Sequence, residues 1–295
     1  GQPALGPRGV ARVTWTLDER GRELVTAFFG VDGRQIESTD GYARRSRSYD
    51  ARGNLVELAY YRVDGALVSP YGDFARWVRA YDDRDNTIDN AFYGPDGQLI
   101  FHPYWGYARR TSAFDDRRNE IEVAYFGADG QPLLYRNEYA RRTTAFDDRG
   151  NEIEVAYFGV DDRPIALPQG YARKTQSYDA AGHLVQEAFF GTDGAPSLIS
   201  DGYARATQAY DDHGKLVEIA FYDVSGALVL ISSGFARIAI AYSADGDVIE
   251  RAYYGPDGAP IDVGWGYARQ TLVQDAERQT RRWEYRDRDG RIVGD

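Results

Sequence analysis

An aromatic residue followed by Ala and Arg begins at Tyr42, Phe74, Tyr107, Tyr139, Tyr171, Tyr203, Phe235 and Tyr267. Successive copies lie 32 residues apart, with one interval of 33, and Val10-Ala11-Arg12 keeps the spacing without the aromatic. A fixed period of this size is the signature of repeat architectures, in which each unit buries its apolar face against its neighbours. The expectation is one elongated, solenoid-like array over residues 1–295, with about nine units starting near 10, 42, 74, 107, 139, 171, 203, 235 and 267. Because the chain opens and stops inside a unit and contains no Met, it reads as a segment of a longer polypeptide.

The unit itself reads as a β-hairpin plus a connector. In the copy at Tyr42, "YARRSRSY" leads to the turn "DARGN", then to "LVELAYY", "RVDGA" and a short extended piece. Runs rich in Tyr, Val, Ile and Phe between Asp/Gly/Asn clusters are strands and turns, and no stretch sustains a helical period. The fold class is therefore all-β. Gly53 and its equivalents suit a type I turn closed by a G1 bulge. Asp85 and Arg118 stand in the place of that Gly, each followed by an Asn, which predicts a shifted turn in those two units.

Pairing Asp50 with Asn54 makes partners sum to 104, which predicts Tyr49, Arg47, Arg45 and Ala43 opposite Leu55, Glu57, Ala59 and Tyr61 on one face. Adjacent aromatics such as Tyr60 and Tyr61 then point to opposite sides of the sheet, so both sides are covered. Ala43 recurs in all nine units and Ala59 in eight, Glu284 being the exception, which predicts close packing over both columns. Pro132, Pro164, Pro196 and Pro260 follow the second turn and place the connector at an edge or outside the main sheet.

The core "YDARGNLVE", echoed in "YDAAGHLVQ" and "YDDHGKLVE", resembles the tyrosine-aspartate (YD, Rhs-type) repeat. The portion "AYFGADGQP" through "EYAR" is similar to the aromatic-aromatic-x-x-x-Gly pattern of cell-wall and choline-binding repeats, whose Trp-rich pockets are missing here. The resemblance implies sheets or solenoids of successive hairpins and a bacterial surface or secreted setting, which favours envelope or secreted over cytoplasmic.

Composition removes alternatives. A formal charge of −11 and a pI near 4.9 argue against nucleic acid and anionic membranes as partners. With no Cys there is neither a disulfide framework nor a thiolate metal site. No apolar run of about 18 residues is present to span a bilayer. The His residues number three, His102, His183 and His213, and the last two occupy turn positions. No nucleophile elbow, phosphate loop or zinc-protease motif occurs, and the acidic turn at Asp82 to Asn86 lacks the bidentate Glu of a calcium loop. No catalytic, cofactor or metal residue is expected.

Two features remain. The Arg column of Arg44, Arg76, Arg109, Arg141, Arg173, Arg205, Arg237 and Arg269 reads as structural, each member held by a carboxylate of the Asp50 or the Glu57 column. A departure from the repeat, His102, Tyr104 and Trp105, together with Trp265, reads as candidate ligand or partner contacts. The expected function is a non-enzymatic scaffold or spacer acting on protein partners or other domains of a parent chain. The alternative is a carbohydrate-binding module with a glycan ligand.

Overall fold

A computed structural model describes residues 6–275 and 280–294. The chain divides into two compact units, Gly1–Thr143 with Phe158–Asp162, and Thr144–Tyr157 with Arg163–Asp295. The strands of the first are β1 (Arg12–Leu17), β2 (Glu23–Phe29), β3 (Arg44–Tyr49), β4 (Leu55–Tyr61), β5 (Arg76–Tyr81), β6 (Thr87–Tyr93), β7 (Arg109–Phe114) and β8 (Glu120–Phe126). β9 (Arg141–Phe146) and β10 (Glu152–Phe158) contribute residues to both units. The second continues with β11 (Arg173–Tyr178), β12 (Leu184–Phe190), β13 (Arg205–Tyr210), β14 (Leu216–Tyr222), β15 (Arg237–Tyr242), β16 (Val248–Tyr254), β17 (Arg269–Asp275), β18 (Thr280–Arg286) and β19 (Ile292–Gly294). Among the described residues there is no α-helix, only a short 3-10 turn at Pro7–Gly9. Within each unit the strands form an antiparallel sheet in chain order, a tandem array of β-hairpins.

Each hairpin closes as its turn chemistry dictates. Asp50 N–H donates to Asn54 O at 3.0 Å, and Asp50 Oδ1 accepts from the N–H groups of Gly53 and Asn54 at 2.7 and 2.8 Å. The shifted turn expected for the two units lacking Gly does not occur. Asp85 and Arg118 themselves take the left-handed conformation, with φ of 66° and 69°, and Asp82 still bonds Asn86 across the same three-residue loop.

The expected strand register is corrected by a second irregularity. Tyr49 faces Leu55 as the 104 rule requires, but Ser48 faces Glu57, Arg47 faces Leu58, Ser46 faces Ala59, Arg45 faces Tyr60 and Arg44 faces Tyr61. Val56 is the extra residue of a β-bulge, and the same shift recurs in β1/β2, β5/β6, β7/β8, β11/β12, β13/β14 and β15/β16. A one-residue slip exchanges faces. Arg44, not Arg45, therefore shares a face with Ala59 and Tyr61, while Tyr60 lies on the other side.

That other side is the core. Phe28, Tyr42 and Tyr60 are buried with Val10 and Val68, and Phe92, Tyr107, Val123 and Tyr125 form the next cluster. The connector supplies the cover: after the second turn the chain folds back, Tyr61 bridges Leu67, and Val68 N–H donates to Tyr60 O at 3.0 Å. Pro132, Pro196 and Pro260 occupy the corresponding bridge positions at this edge. Rings from successive repeats then touch in a row, Phe28 to Tyr42 (5.3 Å), Tyr42 to Tyr60 (4.9 Å), Tyr60 to Phe74 (5.9 Å) and Phe74 to Phe92 (5.6 Å), at the tilted angles that aromatic quadrupoles favour.

Candidate functional site

The most regular chemistry of the molecule lies at the joint where one hairpin meets the next. Three residues of each second strand pair with three of the following first strand, as in Glu57, Leu58 and Ala59 with Val78, Trp77 and Arg76. The alanine of the tripeptide is the node. Ala75 N–H donates to Tyr93 O of its own hairpin at 2.8 Å, and Ala75 O accepts from Tyr60 N–H of the preceding one at 2.9 Å. Ala43, Ala75, Ala108, Ala140, Ala172, Ala204, Ala236 and Ala268 are all buried, so the column has no room for a larger side chain.

Arginine takes the other face of the joint. Each guanidinium lies over the second aromatic of its own hairpin: Arg44 over Tyr61 (3.9 Å), Arg76 over Tyr93 (4.5 Å), Arg109 over Phe126 (5.7 Å), Arg141 over Phe158 (3.9 Å), Arg173 over Phe190 (4.0 Å), Arg205 over Tyr222 (3.8 Å) and Arg237 over Tyr254 (3.9 Å). Most also reach a carboxylate of the preceding hairpin, as in Arg109 Nε with Asp89 (2.9 Å), Arg141 with Glu122 (3.2 Å), Arg173 with Glu154 (2.9 Å) and Arg237 with Glu218 (2.7 Å). Arg76 and Glu57, and Arg269 and Glu250, lie at 3.8 Å. Arg205 faces Gln186 instead, and Arg269 faces Arg286 where other hairpins carry the ring. These partners come from the Glu57 column, Arg141 reaching Asp162 as well (2.7 Å), while the Asp50 column is engaged in its own turns.

A third contact has no counterpart in the sequence reading. The tyrosine of the YD pair donates its hydroxyl to the backbone carbonyl of the residue that begins the second strand of the preceding hairpin: Tyr49 to Glu23 O (3.3 Å), Tyr81 to Leu55 O (3.1 Å), Tyr178 to Glu152 O (3.1 Å), Tyr210 to Leu184 O (3.0 Å) and Tyr242 to Leu216 O (2.9 Å). The separation of 26 residues in every case was the available signal. Its meaning needed the strand boundaries, which set that carbonyl beside the tyrosine of the next hairpin.

The turn aspartates are held ionised. The side-chain amides of Asn86, Asn119 and Asn151, with nearby backbone N–H groups, keep Asp82, Asp115 and Asp147 below the ordinary carboxylate range. In the core, burial pushes the Tyr139 hydroxyl up to about 12 and raises Tyr107 and Tyr60.

The candidate contact residues are separated. His102 is 6% exposed, its ring 4.5 Å from Phe92, its backbone N–H donating to Tyr107 O at 3.0 Å, and its buried Nδ1 without a partner. It belongs to the core, not to a surface cluster, because the connector folds inward there. Tyr104 (85% exposed) and Trp105 (47%) meet edge to face at 5.5 Å on the outside of the same turn. Trp265 is 75% exposed and stacks on Tyr267 at 6.1 Å, beside an open groove of ≈ 440 Å³ lined also by Tyr285, Val293 and Gly294. Among the described residues no three His, Asp or Glu side chains converge as a metal site.

No protein-family model and no curated protein matches the chain. Among solved structures it is similar to the Photorhabdus luminescens Tc holotoxin pore, at 13% identity over 92% of this chain and 14% of that one, with a TM-score of 0.37. It is also similar to a TcdB2–TccC3–Cdc42 complex, at 14% identity over 95% of this chain and 15% of that one, with a TM-score of 0.34. The chain spans about one-seventh of the length of these structures' chains.

Proposed function

We propose that the chain is a non-enzymatic structural and interaction module, a hairpin array that scaffolds protein partners or spaces other domains of a larger bacterial polypeptide. The observation that supports this is where the recurring side chains are engaged. Ala75, Arg76 and Tyr81, and their counterparts among the described residues, act on the neighbouring hairpin, so the most regular side chains of the molecule serve its joints. Such a module depends on nearest-neighbour joints and not on one particular repeat. Excision of one full period, residues 171–202, should give a folded β protein that unfolds cooperatively. An unfolded or aggregated product would overturn the reading, since it would make that one repeat indispensable.

Carbohydrate binding is favoured by one observation, the exposed Trp265 stacked parallel to Tyr267 beside an open groove, an arrangement suited to a sugar ring. A glycan array decides between the two. Saturable binding abolished by Trp265→Ala or Trp105→Ala would move the assignment to a carbohydrate module.

A further inference from the structure

We infer that the cavity between the consecutive turns 179–183 and 211–215 is a binding site for a guanidinium group, the arginine side chain of a partner polypeptide. Three other repeats fill the same place with an arginine of their own. Arg84 donates to Asp115 O at 3.4 Å and to Asp116 Oδ1 at 3.0 Å, both in the next turn. Arg52 donates to Asp82 O and lies 2.9 Å from Asp85 Oδ1. Arg149 donates to Asp179 O at 3.3 Å and to Ala180 O. All three use the carbonyl of the aspartate that opens the next turn. That carbonyl already accepts from its own turn, as in Arg118 N–H to Asp115 O at 3.1 Å, and the guanidinium takes the second lone pair.

One repeat later the arginine is missing and its acceptors are not. Ala181, an exposed residue, stands at the position of Arg52, Arg84 and Arg149. In the next turn Asp211 O accepts from Gly214 N–H at 2.9 Å, and Asp212 holds the position of Asp116. The two groups that grip Arg84 therefore recur with no arginine to meet them. What the shortened side chain leaves is an open cavity of ≈ 540 Å³, lined by Asp179, Ala181, His183, Tyr210, Asp211 and Asp212 among others. Its wall is fixed, because His183 Nδ1 lies 2.9 Å from Asp179 Oδ2 and the imidazole stacks on Tyr210 at 4.5 Å.

The charge of the cavity selects a cation. The hydrogen bond from His183 holds Asp179 below the ordinary carboxylate range, and the backbone N–H of Lys215 does the same for Asp211. Among the described residues no lysine or arginine lines the cavity, and Lys215 reaches away over Tyr242 at 5.2 Å. A planar fork can meet a carbonyl and a carboxylate oxygen at once, whereas an ammonium acts as a point charge. The following repeat does not offer the same set: His213 takes the arginine position, and Ala244 stands where Asp116 and Asp212 stand. A formal charge of −11 adds long-range attraction for a basic segment.

This inference rests on the scaffold reading and gives its partner one chemistry. The test titrates acetyl-Gly-Arg-Gly-amide into the whole protein and follows backbone amides by NMR. Saturable one-site shifts are expected at His183 and at residues 211–214, with binding about fivefold weaker when lysine replaces the peptide's arginine. Ala181→Arg restores the side chain that other repeats carry, so it should abolish peptide binding and raise the midpoint of denaturant unfolding. Asp212→Asn, at an exposed position and checked for an unchanged circular dichroism spectrum, should weaken binding about fivefold. Absence of saturable binding, equal binding of the lysine peptide, or undiminished binding by Ala181→Arg would each overturn the proposal. Saturable binding of free arginine without binding of the blocked peptide would make the ligand a metabolite and overturn its polypeptide source. A protein that tolerates excision of residues 171–202, while the intact chain ignores the peptide, loses this inference and keeps the scaffold reading.

Discussion

At the scale of single residues, the tyrosine hydroxyl latch and the arginine stack make separable predictions. Tyr81→Phe removes the donor to Leu55 O and should lower stability by about 1 kcal/mol. Phe114 occupies the same position one repeat later without a hydroxyl, so Phe114→Tyr should gain a bond to Thr87 O and raise stability by a similar amount in denaturant titration. Both results are needed, because a general effect of losing a hydroxyl would not predict the gain. Arg141→Lys keeps the charge but loses the planar group over Phe158. Because Glu122 and Asp162 are substantially solvent-exposed, the salt bridges contribute little, and the expected loss is about 0.5–1 kcal/mol. The titration follows from the same chemistry. Asp82, Asp115 and Asp147 bind protons less readily folded than unfolded, so the stability they contribute is full above the ordinary carboxylate range and falls as pH drops through their depressed values. Tyr139 has the opposite sign: its contribution is complete below pH 10 and is lost as pH rises through about 12. Chemical denaturation across pH should therefore show stability falling at both extremes, with the acid loss reduced in Asn119→Ala.

At the scale of the element, the hairpin shows what could be read from sequence and what could not. The turn was legible because Asp50, Gly53 and Asn54 act within five residues, where local chemistry dominates. The bulge at Val56 was not, since no side chain there announces it; the tyrosine of the next repeat that bonds the adjacent Leu55 carbonyl lies 26 residues away in sequence. Missing that one residue exchanged the faces assigned to Arg44 and Arg45. The alanine columns were legible as tight positions but not as backbone nodes, and His102 looked like a surface residue because it neighbours Tyr104 and Trp105 in sequence while the connector turns it inward. The turns of Asp85 and Arg118 supply the prediction here. Arg118 adopts φ of 69°, a conformation disfavoured for a residue with a Cβ, so Arg118→Gly should stabilise the protein by about 1 kcal/mol in thermal or denaturant unfolding.

At the scale of the whole molecule, the repeated joint means that each hairpin is attached to its neighbour twice: covalently through the connector, and non-covalently through the three-residue pairing, the alanine node and the tyrosine latch. The second attachment does not need the first. A protease that nicks an exposed connector tip, such as Gly226 beside Ser225, cuts the polypeptide but leaves β13–β14 still paired to β15. The nicked protein should run as two fragments in denaturing gels and as one species under native conditions. In a setting rich in proteases, the array would keep its form after its chain had been cut.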